Sequence, residues 1–240
     1  MRVAASSVLF LMACQSSGSG DRFPVVVGGD DTVITPAPDA PQLVDASDDM
    51  TALSGRVCVI ADLRNLTSCT TGDASGITVR LGTSMGTTAM DGSFSLPVPQ
   101  GSNLVWSVTA PGFVPTVVPL GLVHLLPLVS TARYEEMLSD NGVILQAGQG
   151  SLFTRVVRNA APAVGVTATI DPPTLFGALY DGANAFLWDR DATGTSAVVW
   201  IPDALQGTAT LTLMRPAATP LQITLPVVDG SITFVTAAIP

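Results

Sequence analysis

The chain has 240 residues, with 19 Asp plus Glu against 10 Lys plus Arg, a formal net charge of −9, and 47 % hydrophobic against 12 % charged residues. Every cation is an arginine and none cluster. This excludes nucleic acid as a partner, because phosphate neutralisation needs a basic patch. One histidine and three cysteines leave too few ligands for a zinc or haem site, so no cofactor is expected.

Residues 1–13 begin with Arg2 and an apolar run from Val3 to Met12. The run is too short to span a bilayer, which takes about 20 residues, and it reads as an export signal. Leu11-Met12-Ala13-Cys14 resembles the lipobox of bacterial lipoproteins. That resemblance implies cleavage before Cys14 and diacylation of the cysteine, so that the chain meets the membrane through an N-terminal lipid. Met12 departs from the small or β-branched residue usual there, and the alternative is an ordinary secretory signal with Cys14 near the cut. Gln15 stands where an Asp would direct inner-membrane retention, so the resemblance implies the outer membrane. Residues 14–50 then read as a disordered tether, carrying four prolines and seven acidic residues against Arg22. Such a stretch buries too little apolar surface to offset its ordering entropy.

From Ser54 the pattern turns to short alternating runs bounded by Gly, Pro and Asp, the mark of an all-β sandwich. Expected strands are Gly55–Ile60, Gly76–Leu81, Ser93–Pro97, Asn103–Val108 and Pro115–Val118. Asp91-Gly92 is a hairpin signal, since glycine accepts positive φ without steric cost. In order, Gly55-Arg56-Val57, Gly76-Ile77-Thr78-Val79, Thr87-Thr88 with Asp91-Gly92-Ser93-Phe94-Ser95-Leu96, Gly101–Trp106 and Pro111-Gly112-Phe113 resemble the carboxypeptidase regulatory-like domain. The resemblance covers 54–128 and implies a seven-stranded sandwich of the prealbumin (transthyretin-like) type. It implies no catalysis, because the peptidase domain that this module accompanies is absent.

Ser130–Leu138 reads as a linker helix within 129–141, capped by Ser130 or Thr131 and stopped by Asn141-Gly142. A second, divergent sandwich of the same type is expected over 142–240. Gly165-Val166-Thr167-Ala168 echoes Gly76-Ile77-Thr78-Val79, Ile201-Pro202 echoes Leu96-Pro97, and Leu225-Pro226-Val227 echoes Val118-Pro119-Leu120. The extra material in this copy lies mainly in 171–190.

Cys58 and Cys69 flank the first turn of the first copy. In an exported chain they would form a disulfide closing that loop; the alternative is two free buried thiols. No metal site is expected. His124 sits in an apolar run, where strand alternation puts it opposite Val123 and Leu125. Glu135-Glu136 point apart on a helix, while Asp189 and Asp191 flank Arg190 and would share a face of a strand. The 171–190 insertion gathers Phe176, Tyr180, Asp181, Asn184, Phe186 and Trp188. Of these, Tyr180, Asp181, Asn184 and Trp188 form the candidate ligand-binding set, since aromatic faces beside Asp and Asn suit sugar or peptide recognition. The alternative is that the same aromatics close one end of a sandwich core. The expected function is non-enzymatic interaction or scaffolding at the cell envelope, with an envelope protein or a glycan as partner. The alternative is a carbohydrate- or peptide-binding module using 171–190.

Overall fold

Alternation of apolar and polar residues over short runs favours strands whose two faces differ, and strands dominate the chain. A computed structural model describes residues 52–70, 72–97, 104–121, 125–185 and 187–240. The export signal, Cys14, the tether, Gly101–Asn103, His124 and Phe186 lie outside the described residues.

The first half contributes β1 (Ala52–Val59), β2 (Thr78–Leu81), β3 (Ser84–Thr87), β4 (Ser93–Pro97), β5 (Val105–Thr109), β6 (Thr116–Pro119) and β7 (Leu125–Leu128). β4 shows the period-2 rule plainly, with Phe94 and Leu96 buried between exposed Ser93, Ser95 and Pro97. α1 (Thr131–Asp140) follows, and the Ser130 side chain accepts from the Arg133 N–H as its N-cap. At the other end Asn141 is the C-cap and Gly142 turns at φ +65°. The second half contributes β8 (Gln149–Arg158), β9 (Ala161–Pro162), β10 (Thr167–Asp171), β11 (Leu179–Tyr180), β12 (Val198–Leu205), β13 (Gly207–Met214), β14 (Leu221–Val227) and β15 (Ile232–Ala238). The all-β class expected from the pattern is what forms; β3 and β7 are additions to the expected strands.

One strand order recurs in the two halves. In the first, β4-β1-β7 packs across β2-β5-β6 around Val57, Phe94, Leu96, Leu126, Val79, Leu81, Trp106 and Val108. In the second, β12-β8-β15 packs across β10-β13-β14 around Leu152, Val199, Ile201, Leu211, Leu213 and Leu225. The last strand of each half pairs in parallel with the first, β7 on β1 and β15 on β8.

A buried threonine repeats as well. Thr88 Oγ1 accepts from the Ile77 N–H and donates to the Ala74 carbonyl, while the backbone of Thr88 bonds Gly76 and Ile77. Thr193 Oγ1 accepts from the Val166 N–H at 2.9 Å and donates to the Ala163 carbonyl at 2.7 Å, and its backbone bonds Gly165 and Val166. Gly76 and Gly165 have φ +72° and +77°. The 171–190 insertion falls between the two ends of the second clasp.

The halves share a sheet and a core. β6 pairs in parallel with β15 at Thr116↔Ile232 and Val117↔Thr233. The pairing creates a nine-stranded sheet of order β11-β12-β8-β15-β6-β5-β2-β3, with β9 on β8. On the reverse face of β8, β12 and β15 stand Phe153, Val198, Trp200, Ile232 and Phe234. They are covered by Tyr134 and Met137 of α1, by Leu63 and Leu66 of the 60–69 loop, and by Trp188. Burial on both faces explains why β12 opens on five successive apolar residues, Val198 to Pro202, rather than an alternating pattern.

Candidate functional site

The insertion leaves the second sandwich after β10 and returns at Thr193. Two of its polar side chains, Tyr180 and Asp181, turn inward where backbone N–H groups need acceptors. Asp181 is fully buried; one carboxylate oxygen accepts from the Gly194 N–H at 2.8 Å and the Val198 N–H at 3.1 Å, the other from the Ser196 N–H at 2.9 Å. Three amides that a strand ladder does not reach are thereby satisfied. The Tyr180 hydroxyl accepts from the Ala168 N–H at 2.7 Å and reaches the Ala168 carbonyl at 3.4 Å. Burial, opposed by that amide, pushes the Tyr180 phenol above its ordinary pKa.

Trp188 is 3 % exposed. Its ring meets Phe153 and Trp200 edge-on, at centroid separations of 5.6 Å and 5.4 Å, while Phe153 stacks on Trp200 at 5.7 Å. Tyr180, Asp181 and Trp188 are thus interior side chains, and of the candidate set Asn184 alone is at the surface. Phe176 is half-buried. Asp189 and Asp191 are both exposed, as are Glu135 and Glu136. Glu136 pairs with Arg133 at 2.7 Å.

Beneath Trp200 a second polar network has a fixed proton order. The Ser151 hydroxyl has one proton, and the Pro202 carbonyl at 2.7 Å can only accept it. The Trp200 N–H, 3.3 Å away, can only donate, so the Tyr134 hydroxyl donates to Ser151 as well. Burial raises the Tyr134 pKa well above its ordinary value, against the Ser151 hydrogen bond that lowers it. Tyr134 here is a strut between α1 and β8.

The 60–69 loop carries a further polar contact between the halves. The Cys58–Cys69 disulfide forms. Within its loop, Arg64 pairs with Asp62 at 2.7 Å and donates to the Gly182 carbonyl at 3.2 Å. Burial pushes the Asp62 carboxyl up, but the Arg64 hydrogen bonds and charge, with a further contribution from Arg133, outweigh it and hold Asp62 below its ordinary value.

Sequence reasoning missed Asp203. It lies in the apolar run of β12, 1 % exposed, and Oδ2 accepts from the Leu175 N–H at 2.7 Å and the Phe176 N–H at 3.4 Å. Its Oδ1 has no partner among the described residues. Asp203 lines a cleft with Gly142, Ile144, Gln149, Leu175 and Phe176. A lone acid inside an apolar strand was the available signal. No group of three or more His, Cys, Asp or Glu among the described residues could hold a metal ion. Nor, among them, is any helix long and apolar enough to cross a membrane.

No protein-family model matches the chain, and no curated protein sequence does. Among solved structures, the Bacillus anthracis TIE protein aligns with 78 % of this chain and 33 % of its own, at 11 % identity and a TM-score of 0.27. A streptococcal ancillary pilin aligns over 81 % of this chain and 64 % of its own, at 12 % identity and 0.24. A double mutant of the shaft pilin SpaA from Lactobacillus rhamnosus GG aligns over 79 % and 97 %, at 10 % identity and 0.23. This chain therefore spans one third of the first protein's length and just under two thirds of the second's. TM-scores this low do not establish a shared fold.

Proposed function

We propose that the chain is a non-enzymatic scaffolding or interaction module, exported and held at the outer membrane by a lipid on Cys14. In this reading two carboxypeptidase regulatory-like sandwiches stand on the acidic 14–50 tether, and their partner is an envelope protein or a glycan. The observation that carries it is the joint core. Tyr134, Ser151 and Trp188 are built into the body that holds the two halves together, and Asp181 is buried on backbone amides of the second half. The Cys58–Cys69 disulfide supports export, since such bonds persist in oxidising compartments. The family reading is supported by its motif pieces falling on turns, with Asp91-Gly92 between β3 and β4 and Pro111-Gly112-Phe113 between β5 and β6.

The test is expression of the whole chain, leader included, in a Gram-negative bacterium supplied with labelled palmitate. The expected result is a labelled band in the outer-membrane fraction, lost in Cys14→Ser, with photo-crosslinks from surface positions to an envelope component. Label that survives Cys14→Ser, or an unprocessed band in the cytosol, overturns the anchor. Turnover of an envelope polymer by the purified chain overturns the non-enzymatic reading.

A further inference from the structure

A strand edge with unpaired main-chain N–H and C=O groups is a template for another strand. The molecule uses one such edge itself. The outer side of β6 takes β15 in parallel, and the Ile232 N–H donates to the Pro115 carbonyl at 2.9 Å. Residues 115, 117 and 119 therefore face that edge, and because two of them are prolines, Val117 brings its only N–H. β14 is the counterpart of β6 in the second half, by strand order and by Leu225-Pro226-Val227 against Val118-Pro119-Leu120. In that alignment Gln222, Thr224 and Pro226 face outward. Pro226 bears this out, since its carbonyl accepts from the Thr233 hydroxyl at 2.7 Å rather than from β13. Gln222 and Thr224 are exposed on the last strand of β10-β13-β14, and their outward N–H groups have no partner among the described residues. This edge offers two N–H groups where that of β6 offers one.

We propose that the outer edge of β14, at Gln222 and Thr224, takes an extended strand of another protein, parallel to β14 and apolar on its inward face. The direction follows from β15 on β6. The apolar face follows from Ile223 and Leu225, which pack into the core beside that edge. A charge set next to them would be stripped of water. A glycan carries no alternation of N–H and C=O at strand spacing, so the ladder selects a main chain. A second copy is poorly matched. Its β15 is already on β6, and its β7, the counterpart strand, contains Pro127 and belongs to a sheet with Ser54, Arg56, Ser93 and Ser95 exposed. β15 sits on β6 with an aromatic face of Phe153, Trp200 and Phe234 behind it, which those residues do not reproduce. The proposal rests on the interaction-module reading and selects a protein over a glycan as the partner.

The test uses the full chain, with Cys14→Ser to keep it free of lipid, followed by amide NMR. In the free chain the Gln222 and Thr224 amides should exchange about a hundredfold faster than those of Ile223 and Leu225, which face β13. The binding probe is an end-blocked peptide copying residues 230–236, the strand that β6 accepts. Saturable shifts at Gln222 and Thr224 are expected. They should be lost when the peptide is N-methylated at Ile232 or carries Phe234→Asp, and kept when it carries Val235→Asp on the outward face. In the protein, Thr224→Pro, at an edge where proline is tolerated, should weaken the peptide about tenfold or more. Thr224→Ala keeps the N–H and should leave binding unchanged. Slow exchange at both amides, no saturable shift, equal binding by Thr224→Pro, or shifts with chitotetraose in place of the peptide overturns the proposal. So does a dimer that Thr224→Pro abolishes, which assigns the edge to a second copy. None of these results touches the palmitate label or the search for turnover, so this edge and the envelope reading fail separately.

Discussion

Gly92 stands at φ +82° between β3 and β4, and a Cβ there would collide with the Val57 carbonyl oxygen. Replacing it forces a left-handed backbone on a side chain and pushes β1 away. Gly92→Ala should therefore cost about 2 kcal/mol or more of stability, read by urea denaturation. The threonine clasps offer a paired experiment. Thr88→Val and Thr193→Val keep the side-chain shape but strip a hydroxyl from the Ile77 or Val166 amide. Each should lose about 1–2 kcal/mol, and similar losses at the two positions would support a shared origin for the halves. At this scale Asp91-Gly92 was readable because turn chemistry is local. The fate of Tyr180 and Trp188 was not, because an aromatic cluster reads the same whether it meets a ligand or a neighbouring sheet.

The 60–69 loop, closed by Cys58–Cys69, inserts Leu63 and Leu66 into the joint core and binds Gly182 through Arg64. Removing the bond with Cys58→Ala and Cys69→Ala should cost about 2–3 kcal/mol by loop-closure entropy. It should also alter tryptophan emission, since Trp188 and Trp200 pack in the same cluster. A stability loss without a spectral change would mean that the loop stays docked once opened. Asp62 gives the loop a pH response. Its folded-state pKa lies below 3.8, so its contribution is present above that value and lost as the pH falls through the folded value. Acid titration should loosen the loop below about pH 4, and Asp62→Asn should flatten that part of the profile. Elements with internal signals were legible: five strands by alternation and α1 by its caps. β3 was not, because Ser84-Met85-Gly86-Thr87 is poor in β-branched residues and draws its place from β2 beside it. The two-faced burial of β12 was hidden for a related reason, since the residues covering it come from the first half, from α1 and from Trp188 of the insertion.

The halves meet through β6 with β15 and through the aromatic face of β8, β12 and β15. No local pattern announces this, because a parallel pair between residues so far apart in sequence leaves no turn between them. A fragment covering 142–240 would present Phe153, Trp200 and Phe234 to water. It should bind a hydrophobic dye and aggregate, whereas 52–129 keeps its own core and should give dispersed amide resonances. Adding 52–141 to the second fragment should quench the dye. A compact, dye-silent 142–240 fragment would instead make the junction a docking of two self-sufficient domains. The nine-stranded sheet stops at β3, four residues long, and at β11, two residues long. On the smaller sheets three of the four outer strands, β4, β7 and β14, contain a proline, Pro97, Pro127 and Pro226, while β10 does not. A proline offers no N–H to an incoming strand and a two-residue edge offers almost no template, so most of these borders are closed to growth. Copies crowded side by side would meet few edges on which to zip into a fibre.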